Sequence, residues 1–241
     1  MAAPAGRELC WDGCFNVRDL GGLPAAGDRT TVRGALVRAD SLDRLTAAGW
    51  AAVADHGIRT VVDLRNAADH APGRRRPDGI GLVRVPVDEL AGNDRWWREW
   101  GHVEGTPLTF AAYLEHFPEV PAAIVSAVAA APPGGVVVHC AAGRDRTGFA
   151  SFVLLSLAGV SAADIAADYL LSGPNHRRAA AALGLADHTL EIAEIQARSG
   201  RTATQVIADT HAGFDPAAYL ARAGVPDATV AAARERLFTA G

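Results

Sequence analysis

The sequence predicts an α/β protein with a mostly parallel central sheet flanked by helices and a helical C-terminal part. Three observations carry this. Gly135-Val136-Val137-Val138 is a short apolar strand running straight into a glycine-bearing loop, and a helical pattern from Phe149 to Ala158 follows. Before that point, strand-like runs alternate with helical ones, the pattern of a parallel sheet built from strand–helix–strand units. After residue 146 helical patterns succeed one another. At 241 residues and 49% hydrophobic content, one domain over 1–241 is expected. Its core should cover about 10–175, with a helical lid or C-terminal extension over about 176–241.

The elements follow in order. Residues 32–38 read as a strand. Leu45–His56 reads as an amphipathic helix opened by Ser41 or Asp43 and closed by Gly57. Thr60–Leu64 is a β-branched strand bounded by charge, and Leu82–Val87 is another. Phe110–Ala130 is helical with one break at Pro118 and Pro121, because proline lacks the amide proton that a helix interior needs. Val136–His139 feeds the loop. Helices are expected over 146–158, 161–171, 174–183, 188–198, 202–211, 215–223 and 226–238. Ser161 caps one of them, and Asp215-Pro216 and Pro226-Asp227 open two others. The loop then lies at the carboxyl end of its strand, where parallel sheets bind ligands.

Composition removes several functions. The formal charge is −4 and the pI near 6.0, which argues against a nucleic-acid partner. No apolar run approaches the roughly 20 residues of a membrane span. Met1-Ala2-Ala3-Pro4 lacks a basic region followed by an apolar stretch, so no signal peptide is read there. Three cysteines, one inside the loop, point to a reducing, cytoplasmic setting. Cys10 and Cys14 lack a second ligand pair, so no metal is expected, and the chemistry read below calls for no cofactor. Oligomeric state is left open.

The segment His139-Cys140-Ala141-Ala142-Gly143-Arg144-Asp145-Arg146-Thr147-Gly148 carries the chemistry. Strand, tight loop and helix N-terminus gather backbone N–H groups around an anion. A helix N-terminus and a nearby cation both favour a thiolate, and Cys140 would have both. Arg146 offers a planar fork matching phosphoryl oxygens, and it can follow them as phosphorus changes geometry. Ala141, Ala142, Gly143, Arg144, Thr147 and Gly148 complete a phosphate cradle. Gly143 permits positive φ, Thr147 places a hydroxyl near sulfur, and Gly148 allows close packing. Strand alternation turns His139 away from Cys140, so it is read as bonding backbone around the loop. A general acid is needed as well. Asp88, after a strand end, and Asp145, inside the loop, compete for that role, with Asp88 slightly ahead. Asp63 is read as a partner of Arg65. Trp96, Trp97 and Trp100 read as packing, with Trp96 and Trp100 on one helix face. Arg74-Arg75-Arg76 reads as a solvated loop.

The loop is the Cys-x5-Arg signature of the cysteine-dependent phosphatases. The fuller string resembles the atypical bacterial protein tyrosine phosphatases of the mycobacterial PtpB-like group. Phe15-Asn16-Val17-Arg18-Asp19-Leu20-Gly21-Gly22 is similar to that group's N-terminal motif. Val37–Leu42 resembles its Arg-Ser-x-x-Leu stretch, and Ile58–Arg65 resembles its Asp-Leu-Arg strand. The resemblance covers most of residues 10–175. It implies a cysteine-phosphatase fold, a phosphocysteine intermediate and a helical lid, from either 88–112 or 174–212. It gives Arg18 and Asp19 a role in bracing the loop and aligns Asp88 with the family's acid position. Phosphotyrosine proteins are the implied substrates, with phosphoserine, phosphothreonine and phosphoinositides also compatible. The related mycobacterial enzyme is regarded as secreted without a conventional signal, so the resemblance leaves export open. One position departs: Arg144 stands where the group usually has lysine, in a chain with no lysine at all. Two alternatives compete, a rhodanese-type sulfurtransferase and a non-catalytic phospho-ligand binding module.

Overall fold

The computed structural model describes residues 6–70, 75–90 and 93–239; Met1–Pro4, and Arg74 of the basic run, lie outside the described residues. In chain order the elements are strands β1 (Arg18–Asp19), β2 (Pro24–Ala25), β3 (Arg29–Thr30) and β4 (Leu36–Ala39), helix α1 (Ala47–Asp55), and strands β5 (Ile58–Asp63) and β6 (Gly81–Arg84). Helices α2 (Val87–Leu90), α3 (Asn93–Trp100), α4 (Leu108–His116) and α5 (Glu119–Ala130) lead to strand β7 (Gly135–His139). After it come α6 (Asp145–Ala158), α7 (Ala162–Leu170), α8 (Ser172–Leu183), α9 (Thr189–Arg198), α10 (Ala203–Ala212), α11 (Pro216–Arg222) and α12 (Asp227–Arg236). Single 3-10 turns cover Leu42–Arg44, Ala67–Asp69 and Gly101–Val103.

The main sheet has the order β1-β4-β7-β5-β6. Only the β1–β4 pair is antiparallel; β4, β7, β5 and β6 run parallel. His139 is in register with both Ala39 and Asp63, so β4, β7 and β5 end together. The chain leaving each strand therefore meets at one edge, which places Asp40-Ser41, Leu64-Arg65 and Cys140 side by side. Alternation along β7 decides what faces where. Val136 and Val138 enter the larger core under α3–α7 and α10–α12, whereas Val137 enters a smaller one under α1 with Val37, Val61 and Trp50. Cys140 continues the Val136–Val138 face and His139 the Val137 face.

α6 is buried from Thr147 to Ala158, so it runs through the middle of the larger core rather than along a surface. Each fully buried side chain there, such as Phe149, Phe152 or Leu154, contributes roughly 1.5–3 kcal/mol relative to exposure. Ile207, Phe214, Leu220, Val230 and Leu237 join that same core, so the core reaches well past residue 175.

Several local expectations are corrected. The 32–38 strand is β4 at Leu36–Ala39. Ser41 caps the 3-10 turn at Leu42–Arg44, and Thr46, accepting from Gly49 N, caps α1. β6 stops at Arg84, and after Pro86 the chain already turns into α2 at Val87. The break in the long helix falls at Phe117-Pro118; Pro121 sits in the first turn of α5, where its missing amide proton costs nothing. β1, β2 and β3 are two residues each, too short to leave a periodic signal.

Candidate active site

The loop between β7 and α6 turns its carbonyls outward. Ala141 O accepts from Ser41 N at 3.0 Å, Ala142 O from Asn16 Nδ2 and His176 Nε2 at 3.0 Å each, and Gly143 O from Asn16 Nδ2 at 3.0 Å and Arg38 Nη2 at 2.8 Å. A trans peptide points its N–H opposite its C=O. The amides of Ala142, Gly143 and Arg144 therefore face the inside of the loop, and Gly143 N–H donates to Cys140 Sγ at 3.2 Å. Gly143 has φ +67°, and a Cβ there would sit 2.7 Å from Ala39 O and Asp40 N. Only glycine fits, for conformation and for space.

Beneath the loop lies a buried polar cradle. Arg18, Arg38 and Asp168 are at most 1% exposed. Arg38 Nη1 donates to Asp168 Oδ2 at 2.6 Å, Arg18 Nε to Asp168 Oδ1 at 2.9 Å, and Arg7 Nη1 to the same Oδ1 at 3.1 Å. Arg18 also holds Asn16 Oδ1 at 2.7 Å, and Asn175 Nδ2 donates to that oxygen at 3.1 Å. Burial opposes the Asp168 charge, yet Arg18 and Arg38 hold its carboxyl well below the usual range. α7 and α8 are thus wired to the loop through Asp168, Ser172, Asn175 and His176.

Above the loop the balance reverses. Arg146 Nη1 donates to Asp69 Oδ2 and lies 3.5 Å from Asp88 Oδ2. Burial opposes its charge, but Cys140, Asp88 and Asp69 outweigh that and raise its pKa. Asp88 is itself held, by Tyr113 OH on Oδ1 at 2.8 Å and Asn66 Nδ2 on Oδ2 at 2.9 Å. Tyr113 is stacked between Trp96 and Phe149, with centroids 3.8 and 4.7 Å away, so the tryptophan fixes the phenol that fixes Asp88. Asp145 differs: its Oδ1 is buried with no hydrogen-bond partner among the described residues, and burial pushes its carboxyl up. Glu104 follows the turn at Gly101–Val103. Crowding by protein atoms, then the charges of Asp145 and Asp88, push its carboxyl up to about 7.

A pillar joins the two sides. A Cβ on Gly148 would meet Tyr169 Cε2 at 2.9 Å, so the glycine admits the ring. The Tyr169 hydroxyl donates to Gly105 O at 3.2 Å, beside Glu104, and Arg144 sits over the ring face at 5.9 Å.

The remaining expected residues are placed as follows. His139 Nδ1 lies 3.3 Å from Cys140 O and its Nε2 3.6 Å from Asp63 Oδ1; burial lowers its pKa, which favours the neutral ring. Asp63 pairs with Arg65 through Nε at 2.9 Å and Nη2 at 2.8 Å. Thr147 Oγ1 is buried and without a hydrogen-bond partner among the described residues. Arg18 reaches the loop's support, but the Asp19 carboxylate instead holds Gly21 N, Gly34 N and His56. Both candidate lid segments reach the loop region, 88–112 through Asp88 and Glu104, 174–212 through Asn175 and His176. Cys14 donates to Asp40 Oδ1 at 2.6 Å, and burial and that carboxylate raise its pKa. Asn16, Arg38, Asp69, Glu104, Tyr113 and Asp168 were not singled out from sequence. Only Asn16 and Arg38 lie inside motifs that could have flagged them. Among the described residues no cluster with metal-ligand character is present.

Known proteins share this sequence pattern. The model of the tyrosine phosphatase family matches residues 9–239. A tyrosine-protein phosphatase candidate of Cupriavidus necator is 34% identical over 185 residues, 71% of this chain and 64% of its own length. The tyrosine-protein phosphatase of Nostoc commune is 31% identical over 141 residues, 57% of this chain and 48% of its own. The triple specificity protein phosphatase PtpB of Mycobacterium tuberculosis is 34% identical over 199 residues, 69% of this chain and 68% of its own. The chain thus spans between about half and two thirds of these relatives' lengths. With the family model covering nearly the whole chain, this protein belongs to the tyrosine phosphatase family.

Proposed function

We propose that the protein hydrolyses phosphate monoesters, phosphotyrosine proteins first, through a phosphocysteine. One observation carries this most: three successive carbonyls turned outward around a thiol that already accepts an N–H from its own loop. Sγ of Cys140 attacks phosphorus and the ester P–O bond breaks. The inward amides and Arg146 take up the charge that gathers on the equatorial oxygens. Both Arg146 ion pairs use Nη1, which leaves the Nε–Nη2 edge for phosphate.

Asp145 supplies the proton to the leaving oxygen. Its burial favours the protonated form, whereas both oxygens of Asp88 already accept hydrogen bonds and suit an anion that orients Arg146. In the second step water attacks phosphorus, Asp145 takes a proton from it, and the P–S bond breaks to return the thiolate. The Thr147 hydroxyl, lacking another partner among the described residues, is suited to bond the departing sulfur. Phosphoserine, phosphothreonine and phosphoinositides are proposed as further substrates. A relative carries the name triple specificity phosphatase, and Arg144 at the loop rim adds a second cation.

The test is a panel of phosphotyrosine, phosphoserine and phosphothreonine peptides and phosphoinositides, run with wild type and Cys140→Ser. Turnover should vanish in Cys140→Ser, and acid quench of wild type should trap phosphate on Cys140. Turnover that survives the substitution sinks the mechanism. Thiosulfate turnover without phosphatase activity would support sulfur transfer instead.

A further inference from the structure

Three guanidinium groups, from Arg7, Arg18 and Arg38, converge on the single carboxylate of Asp168. All four side chains are at most 3% exposed. Asp168 is the only carboxylate that pairs with any of the three among the described residues. Two positive charges are left over in a dry interior, where an unpaired charge is costly. The hydrogen-bond count is short as well, since Nε of Arg7 and Nε of Arg38 are buried without acceptors among the described residues. The remaining acceptors are neutral: Asp19 O, Asp168 O, Gly143 O, Asn16 Oδ1 and Ser172 Oγ. A fold keeps such an excess only beside an anion that offsets it. Arg38, bonded to Gly143 O, is the member nearest the loop.

We propose that this buried arginine trio is a charge filter beneath the catalytic loop, selecting tetrahedral anions of charge −2 over those of charge −1. The inference rests on the phosphatase reading and deepens it. A phosphate monoester dianion would be favoured over a sulfate monoester or a phosphodiester of similar shape, before any chemistry occurs. Arg7, Arg18 and Arg38 are positioning residues here; none is placed on the reacting atoms. Coulomb attraction is mutual, and the negative charge of Cys140 favours charged Arg38 even though burial, then Arg18, lower its pKa to about 10. The other charges facing the loop are Arg146, Arg144 and Asp145 from the start of α6, Asp88 from α2, Asp69 and Glu104 from turns, and His176 from α8.

Tungstate and perrhenate test it, being tetrahedral oxyanions of similar size with charges −2 and −1. Their inhibition constants are measured against p-nitrophenyl phosphate with wild type, Arg7→Met, Arg38→Met and Arg38→Lys. Arg7 makes no hydrogen bond to the loop among the described residues, so Arg7→Met alters the field beneath the loop and not the loop's own tethers. It should weaken tungstate roughly three- to tenfold and perrhenate clearly less, because the Coulomb attraction scales with the charge of the anion. Arg38→Met should do more, and Arg38→Lys should restore most of the ratio. Thermal melts confirm folding, and Arg7→Met alone decides the matter if Arg38→Met does not fold. Equal weakening of both anions in Arg7→Met, or no change in either, overturns the filter. Absence of p-nitrophenyl phosphate turnover in folded wild type would instead overturn the phosphatase reading.

Discussion

The two sides of the catalytic loop carry opposite charge. Below it, three buried arginines share one aspartate and hold the loop by its carbonyls. Above it, one arginine faces Asp69 and Asp88, with Asp145 and Glu104 close enough to feel the same field. The lower side is closed to solvent. The upper side is where Glu104 is exposed to solvent. On the proposed mechanism, a phosphoryl group entering between them would be attracted from beneath, with carboxyl groups at the side where its ester oxygen departs. The difference assigns, on the proposed mechanism, two tasks to the two sides of one ten-residue segment: the cations below hold the loop and attract the anion, and the acids above move the proton and aim Arg146.

The largest test of that division is a pair of substitutions on the upper side. Asp145→Asn should slow alkyl phosphates by roughly 10²–10⁴ and p-nitrophenyl phosphate far less, because only poor leaving groups need the proton. Asp88→Asn should slow both by a similar factor, since it loosens Arg146. The same assignment fixes a pH sign. Asp145 must be protonated to act, and burial raises its carboxyl, so the falling limb of kcat should lie above the ordinary carboxylate value of about 3.9. That limb should disappear in Asp145→Asn. Leaving-group dependence in Asp88→Asn and none in Asp145→Asn would exchange the two roles.

A middle-sized effect is expected from below. Asn16→Ala removes donors to Ala142 O and Gly143 O and the acceptor for Arg18. Stability should fall by roughly 1–3 kcal/mol in denaturant melts, the cost of leaving buried polar groups unpaired. Catalysis should fall for all leaving groups alike. A variant that keeps full activity would show that the carbonyls need no such tether.

The smallest effect belongs to Glu104→Gln. The folded carboxyl titrates near 7, above its ordinary value of 4.5, so ionising it costs more in the folded state. Wild type should lose stability as pH rises from about 4.5 through 7, and Glu104→Gln should not. Solvent screens this exposed side chain, so the gain at pH 8 should stay within about 1 kcal/mol. Melts at pH 4 and pH 8 would read it, and a gain equal at both would remove Glu104 from the acidic side.

Much of the upper site was legible in the chain. The apolar strand, the loop and the helical run after it are contiguous, and contiguity is what periodicity and spacing detect. Asp145 and Arg146 could be named because they lie in that run, and Asp88 because it follows a strand end. The cradle below could not be assembled that way. Asn16, Arg38 and the pair Asp168 and Asn175 come from three separate stretches and meet only through the sheet order β1-β4-β7 and the docking of α7 and α8. Asp168 looks like any polar residue in a helix until three arginines are seen on it. Asp69 sits in a 3-10 turn with no pattern of its own. The neighbours Arg18 and Asp19 show the limit of motif reading, for one joins the loop's support and the other braces a turn and His56.

The Tyr169 pillar bears on how this lineage can vary. The ring occupies space that a methyl group on residue 148 would fill, and its hydroxyl ends on residue 105. Gly105 has φ +83°, and a Cβ there would approach Ile192 at 2.8 Å. Positions 105, 148 and 169 are therefore not free to drift one at a time. A descendant that gained a side chain at 148 would first have to shrink the ring at 169, and it would then lose the tie that holds Glu104 over the site. Paired or triple changes at these positions are the expected evolutionary trace of a loop and an entrance that share one aromatic ring.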